Sequence, residues 1–155
     1  TSIPSSKVTK PNQLENQSKL VKNALPKNIP LIGFSGSPWT LAAYSIEGRS
    51  SKSFEFTKNF IKHNEKEAHI FLQKLTDACF IYLKKQVEAG ADVIQIFDSW
   101  ANLLTKKDYE TYSLIYIKSL ISKLDVFLIF NICLVSLSTF ITLSETKFLI
   151  SSKEQ

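Results

Sequence analysis

Residues 29–48 read IPLIGFSGSPWTLAAYSIEG, and the reading of this stretch decides the fold class. Pro30-Leu31-Ile32-Gly33-Phe34 is a short apolar run of the kind that makes a fully buried strand. Ser35-Gly36-Ser37-Pro38 then supplies turn chemistry, because glycine permits unusual backbone angles and proline suits the first turn of a helix. Trp39 to Ile46 reads as that helix, and Glu47-Gly48 as its end. Strand, tight turn and helix N-terminus present backbone N–H groups and a positive dipole end at the strand's C-terminal edge. A site for an anionic ligand can be built there.

A second unit lies downstream. Glu65 to Ala89 is the clearest helix of the chain: Ala68, Phe71, Leu72, Leu75, Ala78, Cys79, Tyr82 and Leu83 recur at three- and four-residue spacing as one apolar stripe. Gly90 follows the last turn as a left-handed C-terminal cap would, and Ala91 to Phe97 is a second apolar strand. The first block is thus a βα unit and the second an αβ unit. Strands separated by helices long enough for a crossover argue for a parallel α/β sheet. Asp98-Ser99-Trp100 then occupies the C-terminal strand end, where barrel enzymes keep their chemistry.

The flanks are less regular. Thr1 to Lys10 reads as an irregular connection, and Pro11 to Leu25 as a short amphipathic helix with Leu14, Val21 and Leu25 loosely on one face. Ser53 is the expected N-cap for Phe54 to His63, and Asn64 for the helix after it. Asp108 to Leu120 reads as a further helix. From about Ile121 the character changes, and Val126 to Leu143 contains no charged residue. Three readings compete: a barrel strand at Asp125 to Phe130 followed by aberrant sequence, a tail translated out of frame, or a membrane helix. The last is weakened by Asn131, Ser136, Ser138, Thr139 and Thr142. All four glycines lie at or before Gly90 and all five prolines at or before Pro38, so the tail lacks the residues barrel loops need. The chain is therefore divided into a partial barrel over 1–120 and a divergent or out-of-frame apolar tail over 121–155.

Nineteen Lys and Arg against 14 Asp and Glu give a net charge of +5, with a pI near 9.1. The lysines are scattered singly along helical segments without aromatic interleaving or an arginine cluster, which argues for solvated helix faces and against nucleic acid. Cys79 and Cys133 form no metal-ligand spacing, and their apolar neighbours suggest reduced, buried thiols of a cytosolic protein. Residues 1–29 show no secretory signal. No internal repeat or nucleotide-binding glycine pattern is present.

Three residues beside the strand ends carry polar chemistry. Tyr44 is either an amphipathic packer with its hydroxyl at the edge or a phenol donating to a ligand carboxylate. Ser99 is either a turn serine or a hydroxyl donor to an anion, and Asp98 either a helix cap or a general acid/base. His63 and His69 fall on helices away from the strand ends and read as surface or packing residues.

The first stretch, with its PWTLAAY run, and the second block, EAGADVIQIFDSWA over 88–101, closely resemble segments of the uroporphyrinogen decarboxylase family, in the expected order and at about the expected distance. The resemblance runs from about Leu14 to Leu120. It implies a (β/α)8 barrel, for which about 250 residues are typical, so this chain is expected to be a central fragment. The absence of Met and the start at Thr1 fit that expectation. The family, as the resemblance implies, removes four acetate carboxyl groups from uroporphyrinogen III as CO2 to give coproporphyrinogen III in haem synthesis. It needs no metal or organic cofactor and forms cytoplasmic homodimers. Tyr44 and Ser99 match positions that contact the tetrapyrrole, and Phe34 and Phe97 match aromatic residues lining the same cleft. A basic chain would help capture an octacarboxylate. The family's aspartate, arginines and late histidine have no counterpart in these 155 residues, so no catalytic residue is expected here.

Departures fall at Arg49-Ser50, where the family has more glycines, at Asn102 in place of a glycine, and at Ile115 in place of a proline. They bear on loop geometry. A corrinoid-linked methyltransferase of the same superfamily is the enzymatic alternative, but it would need a His-x-Cys zinc ligand set that this sequence lacks. A membrane-associated, non-enzymatic product is the alternative from another class. Part of a closed barrel leaves unpaired strand edges, so the isolated chain is expected to aggregate or stay partly unfolded, and not to decarboxylate.

Overall fold

The computed structural model describes residues 11–48, 53–124 and 127–132, with the side chains of 16–48 and 53–124. Three parallel strands, β1 (Ile32–Gly36), β2 (Val93–Asp98) and β3 (Phe127–Ile132), form one sheet in the order β1-β2-β3. Around them lie α1 (Pro11–Ala24), α2 (Pro38–Glu47), α3 (Glu55–His63), α4 (Glu65–Glu88), α5 (Lys106–Tyr109) and α6 (Ile115–Ser122). One π-helical turn, Glu110–Leu114, joins α5 to α6. The architecture is α/β, a partial (β/α)8 barrel in which each parallel step is made by a helical crossover.

Register explains why β1 runs through the expected turn residues to Gly36. Ile32 pairs with Val93 and Gly36 with Phe97, and the Ser37 N–H donates to the Phe97 carbonyl at 2.7 Å. The Leu31 carbonyl accepts from Val93, so odd-numbered peptide groups of β1 face β2 and that of Phe34 faces the outer edge. There the Gln86 carboxamide replaces a strand: it accepts from the Phe34 N–H at 2.9 Å and donates to the Phe34 carbonyl at 3.0 Å.

The two faces of the sheet differ. Gly33, Ser35, Ile94, Ile96 and Asp98 are buried beneath the helical layer. Ile94 and Ile96 pack there with Cys79, Leu83, Ala91 and Leu120. On the opposite face Ile32 and Phe34 are 45 % and 58 % exposed, and Val93, Gln95 and Phe97 are half-buried. A second core gathers Trp39, Ala42, Ile61, Leu72, Leu104, Tyr109, Tyr112 and Tyr116 around α2, α3, α4 and the π turn. Along α4, Ala68, Leu72, Cys79 and Leu83 are buried and Phe71 and Leu75 half-buried, whereas Ala78 and Tyr82 are exposed at the margin of the stripe.

Local readings are corrected at three points. Ser53 does not cap α3: Phe54 takes the cap position with φ 50, a left-handed conformation, and no side-chain cap bond forms. Its ring is fully buried against Trp100, and that packing overrides the capping preference of serine. Asn64 precedes α4, but its amide turns back to the Phe60 carbonyl. On α1, Val21 and Ala24 are exposed and Leu25 half-buried, and the helix is tied to the β2 entry by a Lys22–Asp92 ion pair. At the end of α4, Gly90 (φ 101) and the Ala91 N–H bond to Gln86 close the helix as anticipated. β3 overlaps the strand expected at Asp125 to Phe130 and runs two residues beyond it; residues 133–155, including the rest of the apolar run, lie outside the described residues. No helix among the described residues is long and apolar enough to cross a membrane.

Candidate functional site

The tips of β1 and β2 carry the polar residues singled out above. Ser37 follows β1 and caps α2, accepting from the Thr40 N–H at 3.0 Å, and Pro38 occupies the first helical position. Asp98 ends β2 with no exposed surface. One of its carboxylate oxygens accepts from the Ser37 hydroxyl at 2.6 Å and the Thr40 hydroxyl at 3.1 Å; the other accepts from the Ser113 hydroxyl at 2.6 Å. Burial pushes its carboxyl above the ordinary carboxylate range, while the bonds from Ser113, Ser37 and Thr40 pull the other way. With both oxygens occupied and no exposure, Asp98 has no face from which to exchange a proton with a ligand. Of the two readings open for it, general acid/base is ruled out by this geometry, and it reinforces the cap of α2 through Ser37.

Aromatic rings frame the same tips. Phe34 and Phe97 meet edge to face on the uncovered side of the sheet, with centroids 6.0 Å apart. Tyr44 on α2 stands edge-on to Trp100 at 5.8 Å and to Phe54 at 6.2 Å. The Trp39 indole N–H donates to the Trp100 carbonyl at 2.9 Å, so α2 is also tied to the loop after β2. Tyr44 is 45 % exposed and Ser99 half-buried, and among the described residues neither hydroxyl has a hydrogen-bond partner. Apolar walls with hydroxyl donors beside them suit a ligand with an apolar body and an anionic rim. Among the described residues no three His, Cys, Asp or Glu side chains cluster to hold a metal ion.

The family model described as Uroporphyrinogen decarboxylase (URO-D) matches residues 11–149. The chain belongs to this family. Among curated relatives, the uroporphyrinogen decarboxylase of Flavobacterium johnsoniae is 49 % identical over 106 residues, covering 68 % of this chain and 31 % of the relative. That of Chlorobaculum tepidum is 51 % identical over 100 residues, covering 64 % and 28 %, and that of Proteus mirabilis 46 % over 109 residues, covering 70 % and 30 %. The chain thus spans about a third of the length of the uroporphyrinogen decarboxylases it matches. A solved structure, a methyltransferase from Methanosarcina mazei, superposes with a TM-score of 0.69 at 22 % identity, covering 79 % of this chain and 35 % of that one. At that identity it speaks for the fold alone.

Within the uroporphyrinogen decarboxylase frame, three of the four sequence-predicted residues make ring contacts, and Ser99 makes none of its own. Phe34 touches Phe97 directly, and Tyr44 touches Trp100, the residue after Ser99. Phe54, the packing of Trp100 on Tyr44 and the hydroxyls on Asp98 were not anticipated. Ser37 was legible in part, since a serine before proline at a helix start is a capping signal. His69 is a packing residue, stacked on Tyr112 and within 2.6 Å of the Tyr116 hydroxyl, and His63 is exposed.

Proposed function

We propose that this chain is the segment of a uroporphyrinogen decarboxylase that supplies two hydroxyl donors and part of the aromatic wall to the tetrapyrrole site. Tyr44 and Ser99 donate to substrate carboxylates, and Phe34 and Phe97 line the apolar cleft. The reaction served is the cofactor-free removal of four acetate carboxyl groups from uroporphyrinogen III to give coproporphyrinogen III, in the cytoplasm and in a homodimeric barrel. The observation that carries the reading is the pair of ring contacts, Phe34–Phe97 and Tyr44–Trp100, at the tips of adjacent strands. The groups that stabilise a protonated pyrrole belong to other parts of such a barrel, so this chain contributes binding and orientation.

A boundary at residue 120 between barrel and divergent tail is left out of this proposal. A strand at Phe127–Ile132 and a family match reaching residue 149 favour barrel sequence continuing past that point, and DNA sequence on either side would expose a frame change.

The test is a graft. Residues 14–120 replace the matched segment of the Flavobacterium johnsoniae enzyme, and CO2 release from uroporphyrinogen is measured. The graft should decarboxylate, and Tyr44→Phe and Ser99→Ala within it should each raise KM several-fold, about 1 kcal/mol of binding per lost hydrogen bond. A stable graft without activity, or one indifferent to both substitutions, refutes the assignment.

A further inference from the structure

We propose that Asp98 is the positioning residue that locks the Tyr44 helix onto the Ser99 strand tip, so that both hydroxyls face one tetrapyrrole. This rests on the function proposed above and concerns a residue for which that function has no role. Ser99 is bracketed in sequence by two anchors to the first turn of α2. Asp98 accepts from Ser37 and Thr40, and Trp100 offers its carbonyl to the Trp39 indole. Tyr44 then closes the arrangement by packing on the Trp100 ring. The cap and three residues of one helix are therefore fixed to Asp98 and Trp100, the two residues that flank Ser99.

Ser113 adds a third direction. It sits in the π-helical turn, where the wider coil turns its fully buried hydroxyl onto the free oxygen of Asp98. Neighbouring residues hold that turn from the other side: the Tyr112 hydroxyl donates to the Ile61 carbonyl, and Tyr116 meets His69. π turns concentrate at functional sites because they re-aim one residue without breaking the helix. Here the re-aimed residue completes the coordination of a buried carboxylate. Loss of the carboxylate leaves three buried hydroxyls without their acceptor and frees α2 to shift relative to Ser99.

The test compares variants of the graft, in which residues 14–120 stand within the Flavobacterium johnsoniae enzyme, in dilute solution by two measurements. One is amide hydrogen exchange over residues 38–47; the other is quenching of Trp39 and Trp100 fluorescence by uroporphyrin I, an octacarboxylate porphyrin. Asp98→Ala should speed exchange in α2 and weaken porphyrin binding, each by about tenfold or more, as expected for several hydrogen bonds lost together. Asp98→Asn should restore both to within a few-fold, since its carboxamide accepts from Ser37 and Thr40 and donates to Ser113. Leu83→Ala, a core change remote from the lock, serves as the control and should leave binding by the folded molecules unchanged. The proposal is overturned if Asp98→Asn behaves like Asp98→Ala, if Asp98→Ala leaves exchange in α2 unmoved, or if Leu83→Ala weakens binding equally. Absence of quenching in the unsubstituted graft overturns the tetrapyrrole reading instead, and the exchange data still decide whether Asp98 holds α2.

Discussion

Gly33 offers the most direct check on how the sheet and α4 fit together. A Cβ built there lies 2.8 Å from the Gln86 Oε1, 2.8 Å from the Ile94 Cδ1 and 3.2 Å from the Ala91 Cβ. The Ile94 tip can swing aside, and Gln86 can withdraw, but only by releasing the Phe34 peptide group it holds at 2.9 and 3.0 Å. Ala91 has no rotamer with which to yield. Overpacking of this kind costs about 1–3 kcal/mol. Strained or lost bonds to a part-buried peptide add about 1 kcal/mol more. Gly33→Ala should therefore destabilise by about 2–4 kcal/mol, read as urea unfolding of the grafted barrel by tryptophan fluorescence. Because one clash is with Gln86 itself, the cost should shrink by about 1 kcal/mol in a Gln86→Ala background, a coupling expected only of residues in contact. A single-variant loss below about 0.5 kcal/mol, or strict additivity of the pair, would refute the packing described.

Three further outcomes are expected. Burial raises the Cys79 thiol above its ordinary value, so in a Cys133→Ser background iodoacetamide should label it slowly at pH 8 and readily once urea is added; equal rates with and without urea would contradict this. Burial also raises Asp98 above its unfolded value of 3.8, so the folded state holds the proton more tightly. Stability of the graft should fall as pH rises from about 3.8 through the folded value, and Asp98→Asn should abolish that decline; identical pH profiles would exclude it. The isolated chain, with Ile32 and Phe34 on an uncovered sheet face, should scatter light on warming and release no CO2 from uroporphyrinogen. A sharp thermal transition in a soluble monomer, or measurable decarboxylation, would count against the fragment reading.

What could be read from the chain before its structure was known follows the reach of each signal. The α4–Gly90–β2 unit was legible because helical periodicity, a left-handed glycine and an apolar run are all local. The Asp98 lock was not, since its hydroxyl partners lie 61, 58 and 15 residues away and no spacing rule links them. The π turn was hidden because Tyr109, Tyr112 and Tyr116 keep the three- and four-residue spacing of an ordinary helix. Ser35 and Gly36 looked like a turn, yet pairing with β2 holds them in the strand, an instance of sheet hydrogen bonding outweighing residue preference. Motif resemblance named Tyr44 and Ser99, but only coordinates could reveal that Trp100, the residue after Ser99, packs on Tyr44.

Phe54 has one more consequence. A bulky aromatic at φ 50 sits in a backbone basin that costs on the order of 1–3 kcal/mol, and a glycine would occupy it freely. Glycine, however, would delete the ring that packs on both Trp100 and Tyr44. Position 54 is therefore a trade in which no standard amino acid satisfies both the main chain and the ring cluster. Directed stabilisation of this protein will be drawn to that position first, and each variant that relaxes the loop there is expected to loosen the packing of Tyr44 and Trp100.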